Sequence, residues 1–153
     1  MASVYSITEE QRAILDTVRK FCKAEVEPRA AKLDANTDPL DCFSWEIVEK
    51  ADALGIRTMT LEEKWGGLGL DSLTTAMVVE ELGVYDLGTS VVMAQTFKIA
   101  QIMQLALNEE QKNRVLPAFA KDPRAVLAIG MTEPGNGSDK HTSHPVPFAT
   151  HAE

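Results

Sequence analysis

Residues 132–139 (Thr-Glu-Pro-Gly-Asn-Gly-Ser-Asp) carry the residue types in this 153-residue chain that are best suited to bind a ligand. A run over residues 125–131 leads into them, and it has the length and the apolar, β-branched composition of a strand. Pro-Gly and Asn-Gly pairs then end that run. Glycine lets backbone N–H groups approach a ligand closely, and Thr132 and Ser138 add hydroxyl groups. The pattern therefore predicts a strand tip suited to a polar heterocycle or a phosphate-bearing tail.

The same eight residues also fit a plain chain reversal. A Pro-Gly pair is typical of a type II turn, and an Asn-Gly pair is typical of a tight hairpin. Only Gly135 and Gly137 have the spacing of a dinucleotide-binding glycine motif, and no P-loop sequence occurs, so neither of those sites is indicated. From these residues alone a simple turn and a binding turn both stay open, and simple turns are the commoner of the two.

Two helices are predicted before the first glycine-rich loop. Thr8 and Gln11 have the spacing of a capping box, and apolar residues recur behind them at three- and four-residue steps. Pro28 should kink or end this first helix. A second helix should begin near Ser44, and a short extended piece over residues 56–61 should follow it.

Three more helices are predicted after that loop. The first should cover residues 71–85, and Asn108 should cap the last, whose final turn Pro117 should disturb. Between them, residues 89–107 are apolar on most sides, which predicts a central and largely buried helix. Residues 1–124 are therefore predicted to form one mainly α domain, a helical bundle with short connections.

Composition excludes several classes of function. The net charge of −8 disfavours binding to nucleic acid or to anionic lipid, and no apolar run is long enough to cross a bilayer. No secretory signal is apparent at the start of the chain, so a cytoplasmic location is expected. Of the two cysteines, Cys22 falls in an apolar helical stripe and is predicted to be buried, whereas the exposure of Cys42 cannot be read from the sequence.

Four motifs in chain order resemble the acyl-CoA dehydrogenase family. Residues 132–139 are similar to its T-E-P-x-x-G-S-D signature, and residues 65–69 (Trp-Gly-Gly-Leu-Gly) to its aromatic-G-G-x-G loop. Residues 80–82 (Glu-Glu-Leu) and 116–117 (Leu-Pro) also match the family pattern. Residues 140–149 depart from it and look like an added loop. The resemblance implies a helical N-terminal domain followed, over residues 125–153, by the first strands of a middle β-domain.

The resemblance also implies an activity, a cofactor and partners. Members of the family desaturate an acyl-CoA between its α and β carbons, transfer hydride to FAD, pass electrons to an electron-transfer flavoprotein or similar acceptor, and form homo-oligomers. Their catalytic glutamate usually belongs to a C-terminal domain, so we expect no catalytic residue within residues 1–153 and no activity from this chain alone. The expected FAD contacts are Ile129, Met131, Thr132, Gly137 and Ser138, and the expected substrate contacts are Ser138 and Glu81.

Other interpretations stay open at this point. An acyl-CoA oxidase or a flavin monooxygenase would share the same N-terminal pattern, and a non-enzymatic helical interaction module would explain the helices without a cofactor. His141 and His144 have a spacing that could bind a metal on a helix, but no third ligand is evident, so we predict no metal site. Ser138, Asp139 and His141 lack the strand-to-helix elbow of a hydrolase, so no catalytic triad is predicted.

Overall fold

The protein is a bundle of six α-helices, described by a computed structural model over residues 6–130, 132–135, 137 and 149. The helices are α1 (Glu9–Phe21), α2 (Glu27–Asp34), α3 (Trp45–Ala53), α4 (Ser72–Tyr85), α5 (Leu87–Ala106) and α6 (Glu109–Lys121). A π-helical turn, Cys22–Val26, joins α1 to α2, and a short 3₁₀ turn, Glu63–Trp65, precedes the first glycines. The mainly α fold predicted from the sequence is confirmed.

Side-chain caps define where the helices begin. Thr8 Oγ1 accepts from the Gln11 amide at 3.1 Å, and Gln11 Oε1 accepts from the Thr8 amide at 3.0 Å, so the predicted capping box is formed. Asn108 and Gln111 make the same reciprocal pair at the start of α6. Each cap satisfies amides that the first helical turn leaves without an internal partner, which explains why these starts were predictable.

Pro28 changes the helical register but does not end the helix. The Glu27 amide donates to the carbonyl of Cys22, five residues earlier, so the turn before the proline is wider than an α-turn. Pro28 then lies in the first turn of α2, directly after the π-turn, a position in which proline is well tolerated. Of the two outcomes expected at Pro28, a kink or an end, the end does not occur, because the π-turn accommodates the proline.

A four-charge network fixes α2 and the π-turn against α3. Glu25 pairs with Arg29 and Lys50, and Glu46 pairs with the same two cations. The hydrogen bond from Lys50, together with the charge of Arg29, lowers the pKa of the Glu46 carboxyl. All four side chains are partly exposed to solvent, so the network orients the helices more than it stabilises them.

The core has two parts. The larger lies among α1, α3, α4 and the first half of α5, and its fully buried members include Val26, Val48, Val78, Leu82 and Met93. The smaller lies where α5 meets α6 and contains Leu61, Ala100, Leu116 and Phe119. Residues 57–61 connect the two parts as successive tight turns, with Leu61 donating to Thr58 at 2.9 Å, so the extended piece expected there is not formed.

Helix α5 is less buried than its composition predicts. Its inner face, with Met93, Phe97 and Ala100, lies in the core, whereas Leu87 and Leu105 at its two ends are 72% and 86% exposed. The expectation of a central, largely buried helix was therefore wrong for one of its faces. Periodicity could not reveal this, because both faces of α5 are apolar.

The two cysteines differ in environment, which gives a test of the core. Burial raises the pKa of the Cys22 thiol from 9.0 to about 12, whereas Cys42 is exposed. An alkylating reagent at about pH 8 should modify Cys42 alone in the folded protein and both thiols in denaturant. Mass spectrometry of the alkylated chain checks this, and rapid modification of Cys22 in the folded state would contradict the packing.

The same pKa shift sets a pH dependence of stability. The Cys22 thiol keeps its proton in the folded state above pH 9, where the unfolded thiol begins to ionise. Its contribution to the free energy of unfolding should therefore be full below about pH 9 and be lost progressively as the pH rises towards 12. Urea unfolding of the wild type and of Cys22→Ala on both sides of pH 9 isolates this contribution, because the alanine variant lacks the titrating group.

Candidate functional site

The segment that follows α6 is held against the bundle by a buried arginine. Arg57 is 0% exposed; its guanidinium donates to the carbonyls of Ala120 at 3.0 Å and Ala125 at 3.1 Å. Its Nε donates to Asp52 Oδ1 at 2.8 Å, and the ring of Phe119 lies 4.7 Å from the guanidinium carbon. One side chain thus joins the end of α3, the end of α6 and the start of the segment.

A second polar anchor comes from α5. The buried Thr96 hydroxyl donates to the Val92 carbonyl at 2.9 Å and accepts from the Leu127 amide at 3.2 Å. Ala125 and Leu127 pack on the smaller core cluster, and Val126 packs on the larger one. Residues 125–127 therefore lie in a defined place on the bundle, held by hydrogen bonds and by apolar contacts.

Residues 128–130, by contrast, present an open backbone edge. Within the described part of the chain, the amides and carbonyls of Ala128, Ile129 and Gly130 make no hydrogen bond. Ile129 is 45% exposed, and a Cβ added at Gly130 would meet no described residue within 4 Å apart from its chain neighbours. No strand forms over residues 125–130, because strand pairing requires a neighbouring strand and the described residues contain none. The edge can therefore pair with a strand or with the rim of a flat polar ligand.

The described signature residues follow the open edge along the chain. Thr132 and Pro134 are exposed, and Gly137 is half-buried. Glu133 Oε2 accepts from the Ala149 amide at 2.8 Å, which gives this carboxylate a structural partner. Of the predicted cofactor contacts, Ile129, Thr132 and Gly137 are described by the structure, while Met131 and Ser138 lie outside the described residues.

Glu81, the other predicted substrate contact, lies elsewhere. Its carboxylate receives two hydrogen bonds from Arg19, from Nε at 3.0 Å and from Nη2 at 2.7 Å, across the contact between α1 and α4. Hydrogen bonding to Glu81 and its negative charge raise the pKa of Arg19. The adjacent Glu80 is exposed, as expected for one member of the pair. A bidentate pair of this kind fixes the position of the Glu81 carboxylate.

Across the part of the chain that the structure describes, no group of three potential ligands could hold a metal ion, and His141 and His144 lie outside that part. None of the described helices combines the length and apolar content that a bilayer crossing needs. A cavity of about 530 Å³ opens between α2, α3 and the start of α5, but none of the described residues that line it belongs to the signature segment.

Fold and segment together define an all-helical domain that ends in a docked segment with an open backbone edge. Residues 8–122 match the family model described as acyl-CoA dehydrogenase, N-terminal domain. The chain therefore belongs to the acyl-CoA dehydrogenase family.

Individual relatives agree with this. The chain is 36% identical over 136 residues to a probable medium-chain specific acyl-CoA dehydrogenase of Caenorhabditis briggsae, described as mitochondrial, with 88% of this chain and 32% of that protein covered. Butyryl-CoA dehydrogenase from Megasphaera elsdenii superimposes with a TM-score of 0.72 at 28% identity, covering 90% of this chain and 36% of that one. A chain from a structure of the electron transferring flavoprotein of Acidaminococcus fermentans superimposes with a TM-score of 0.77 at 28% identity, covering 90% and 35%. The chain thus spans about a third of the length of these relatives.

Sequence reasoning missed the two anchors of the segment, Arg57 and Thr96. Arg57 is the only charged residue in the stretch from Ile56 to Leu61, which was a signal that a cation was being held among apolar neighbours. Thr96 lies in the apolar centre of α5, but a threonine there is commonly a helix residue bonded to its own preceding turn. The Thr96 hydroxyl does make that bond, and only the structure shows the second one, from Leu127.

Proposed function

We propose that this chain is the N-terminal part of an FAD-dependent acyl-CoA dehydrogenase, an oxidoreductase that desaturates an acyl-CoA thioester between its α and β carbons. Family membership and the relatives named above support the class of enzyme. The observation that carries the cofactor assignment is the open edge at residues 128–130, which is docked by its preceding residues and makes no hydrogen bond of its own within the described chain.

The chemistry of this edge fits the polar rim of a flavin ring. Backbone amides and the Thr132 hydroxyl are neutral donors, suited to ring oxygen and nitrogen atoms. Open space beside Gly130 supports this, since among the described residues, its chain neighbours aside, no heavy atom lies within 4 Å of a Cβ built there. Bound FAD would supply the hydride acceptor. The chain's own part is to bind and orient the ring through Ile129, Met131, Thr132, Gly137 and Ser138.

The remaining assignments follow from the same proposal. Residues 1–124 form the helical domain and residues 125–153 begin a β-domain. Ser138 and Glu81 are the proposed substrate contacts, the latter acting from its pair with Arg19. We assign no catalytic base to this chain, and we expect it to be inactive alone.

The proposed partners are an acyl-CoA substrate, an electron-transfer flavoprotein as acceptor and further copies of the complete subunit. The structural match to a chain from an electron transferring flavoprotein structure supports the acceptor. We propose a cytoplasmic location for this chain, although one of the relatives named above is described as mitochondrial.

Titration of the chain with FAD, followed by NMR, tests the proposal and detects binding even at low affinity. In a two-dimensional amide NMR spectrum of the ¹⁵N-labelled chain, FAD should shift the resonances of residues 128–137 in a saturable manner, whereas AMP, which lacks the flavin ring, should not. The helical amides of α1 serve as an internal control, because they lie far along the chain from the proposed edge. Unchanged resonances at residues 128–137 up to about millimolar FAD, a concentration that detects binding of about −4 kcal/mol, would refute the proposal.

A further inference from the structure

We infer that Arg57 and Thr96 are positioning residues that hold residues 125–127 on the bundle and so place the open edge at residues 128–130 for flavin binding. This inference rests on the proposed function. It assigns to two residues outside the signature a role in cofactor binding that neither could have through direct contact, because both are fully buried.

The contacts of Arg57 are directed at the backbone of the segment. A guanidinium offers five N–H donors in a rigid fork, and here it reaches Asp52, Ala120 and Ala125 at once. Asp52 fixes the fork from one side, and Phe119 covers its face. The carbonyl of Ala125 is therefore held relative to the end of α6, which sets the direction in which the chain leaves the helix.

Thr96 fixes the segment two residues further on. Its hydroxyl is oriented because it donates to Val92, which leaves its oxygen lone pair for the Leu127 amide. Leu127 is the last residue before the open edge, so this bond marks the boundary between docked and open backbone. The loss of its acceptor is unfavourable for an amide that is partly shielded from water, so without this bond the segment should detach in part.

Docking of this kind should strengthen binding by preorganisation. When residues 125–127 are already fixed, the chain loses less conformational freedom on binding a ligand at residues 128–130. Arg57 acts on the segment from the turns at residues 57–61 and Thr96 acts on it from α5, so either can be altered while the other still holds it. Thr96 is the better site for a test, since loss of its hydroxyl removes two neutral hydrogen bonds and no charge.

The test uses a matched pair of variants in the ¹⁵N-labelled chain. Thr96→Val keeps the volume and loses the hydroxyl, whereas Thr96→Ser keeps the hydroxyl. Thr96→Val should speed hydrogen exchange of the Leu127 amide and weaken FAD binding by about tenfold, and Thr96→Ser should stay within about twofold of the wild type. Arg57→Lys, which keeps the charge and loses the fork, should also weaken FAD binding by about tenfold.

Ser90→Ala is the control for a general loss of stability. The buried Ser90 hydroxyl, on the same helix, donates to the Val79 carbonyl at 2.8 Å and has no link to the segment, so its loss should leave FAD affinity unchanged. Wild-type affinity in Thr96→Val despite faster exchange at Leu127 would overturn the inference. Equal weakening by Ser90→Ala would overturn it as well. Absence of FAD-induced shifts in the wild type would instead show failure of the proposed function, and the inference would fall with it.

Discussion

Arg57→Met should lower the free energy of unfolding by about 3 kcal/mol, the lower end of the range for breaking a buried ion pair by removing one partner. Arg57 is 0% exposed, and its loss leaves two carbonyls and the Asp52 carboxylate without their donor. Asp52 is 24% exposed and can recover some hydration, which is why we expect the lower end. Methionine fills most of the volume, so the change reports the polar contacts more than a cavity.

Urea unfolding followed by circular dichroism measures this loss, with Arg124→Met as the matched control. Arg124 pairs with Glu49 on the outside of the same segment, and both side chains are substantially exposed. Removing that exposed pair should change the free energy of unfolding by no more than about 1 kcal/mol. Similar losses in the two variants would show that Arg57 is not held as the structure describes.

Gly67→Ala should destabilise the fold by about 3 kcal/mol or more, beyond the usual cost of overpacking, because the clash is with backbone. A Cβ at Gly67 would lie 2.2 Å from the Leu61 carbonyl oxygen and 2.5 Å from that of Thr58. Neither oxygen belongs to a flexible side chain that could move aside. The loop packs directly beneath the turns at residues 57–61, where Gly69 also donates to the Leu61 carbonyl at 2.7 Å. The glycine is therefore required by close approach.

Gly83→Ala provides the same chemical change in a permissive place. Gly83 lies inside α4, and its added Cβ would meet Ser90 Oγ at 3.5 Å, an ordinary van der Waals contact. Because alanine favours the helix over glycine, this variant should be more stable by about 0.5–1 kcal/mol. Thermal or urea unfolding of both variants checks the pair. If the two alanines changed stability alike, the packing of the glycine loop would be wrong.

Local signals made much of the fold predictable. Caps such as Thr8, Asp71 and Asn108 bond to amides three residues away, so the sequence itself contains both partners. The mistakes arose where the answer depends on distant residues. Which face of α5 is covered depends on where other helices pack, and whether residues 125–131 form a strand depends on a pairing partner.

For the candidate site too, features set by nearby residues were predictable from the sequence and features set by distant residues were not. Its glycines and hydroxyl groups could be recognised from residues 132–139, because composition is read directly from the sequence, whereas the lack of a strand over residues 125–130 could not. Its support could not, because Arg57 reaches Ala125 across 68 positions and Thr96 reaches Leu127 across 31. The contacts expected at Met131 and Ser138 stay predictions, as do those at Ile129, Thr132, Gly137 and Glu81.

The anchoring of residues 124–127 constrains the order in which the molecule can be assembled. Their partners Glu49, Arg57 and Thr96 come from three places in the chain, between 31 and 75 positions away. Closing such long loops is entropically unfavourable until the elements that carry the partners are themselves in place. The residues proposed to receive the cofactor therefore reach their final position only on a finished scaffold, so a partly folded chain would not yet offer that surface.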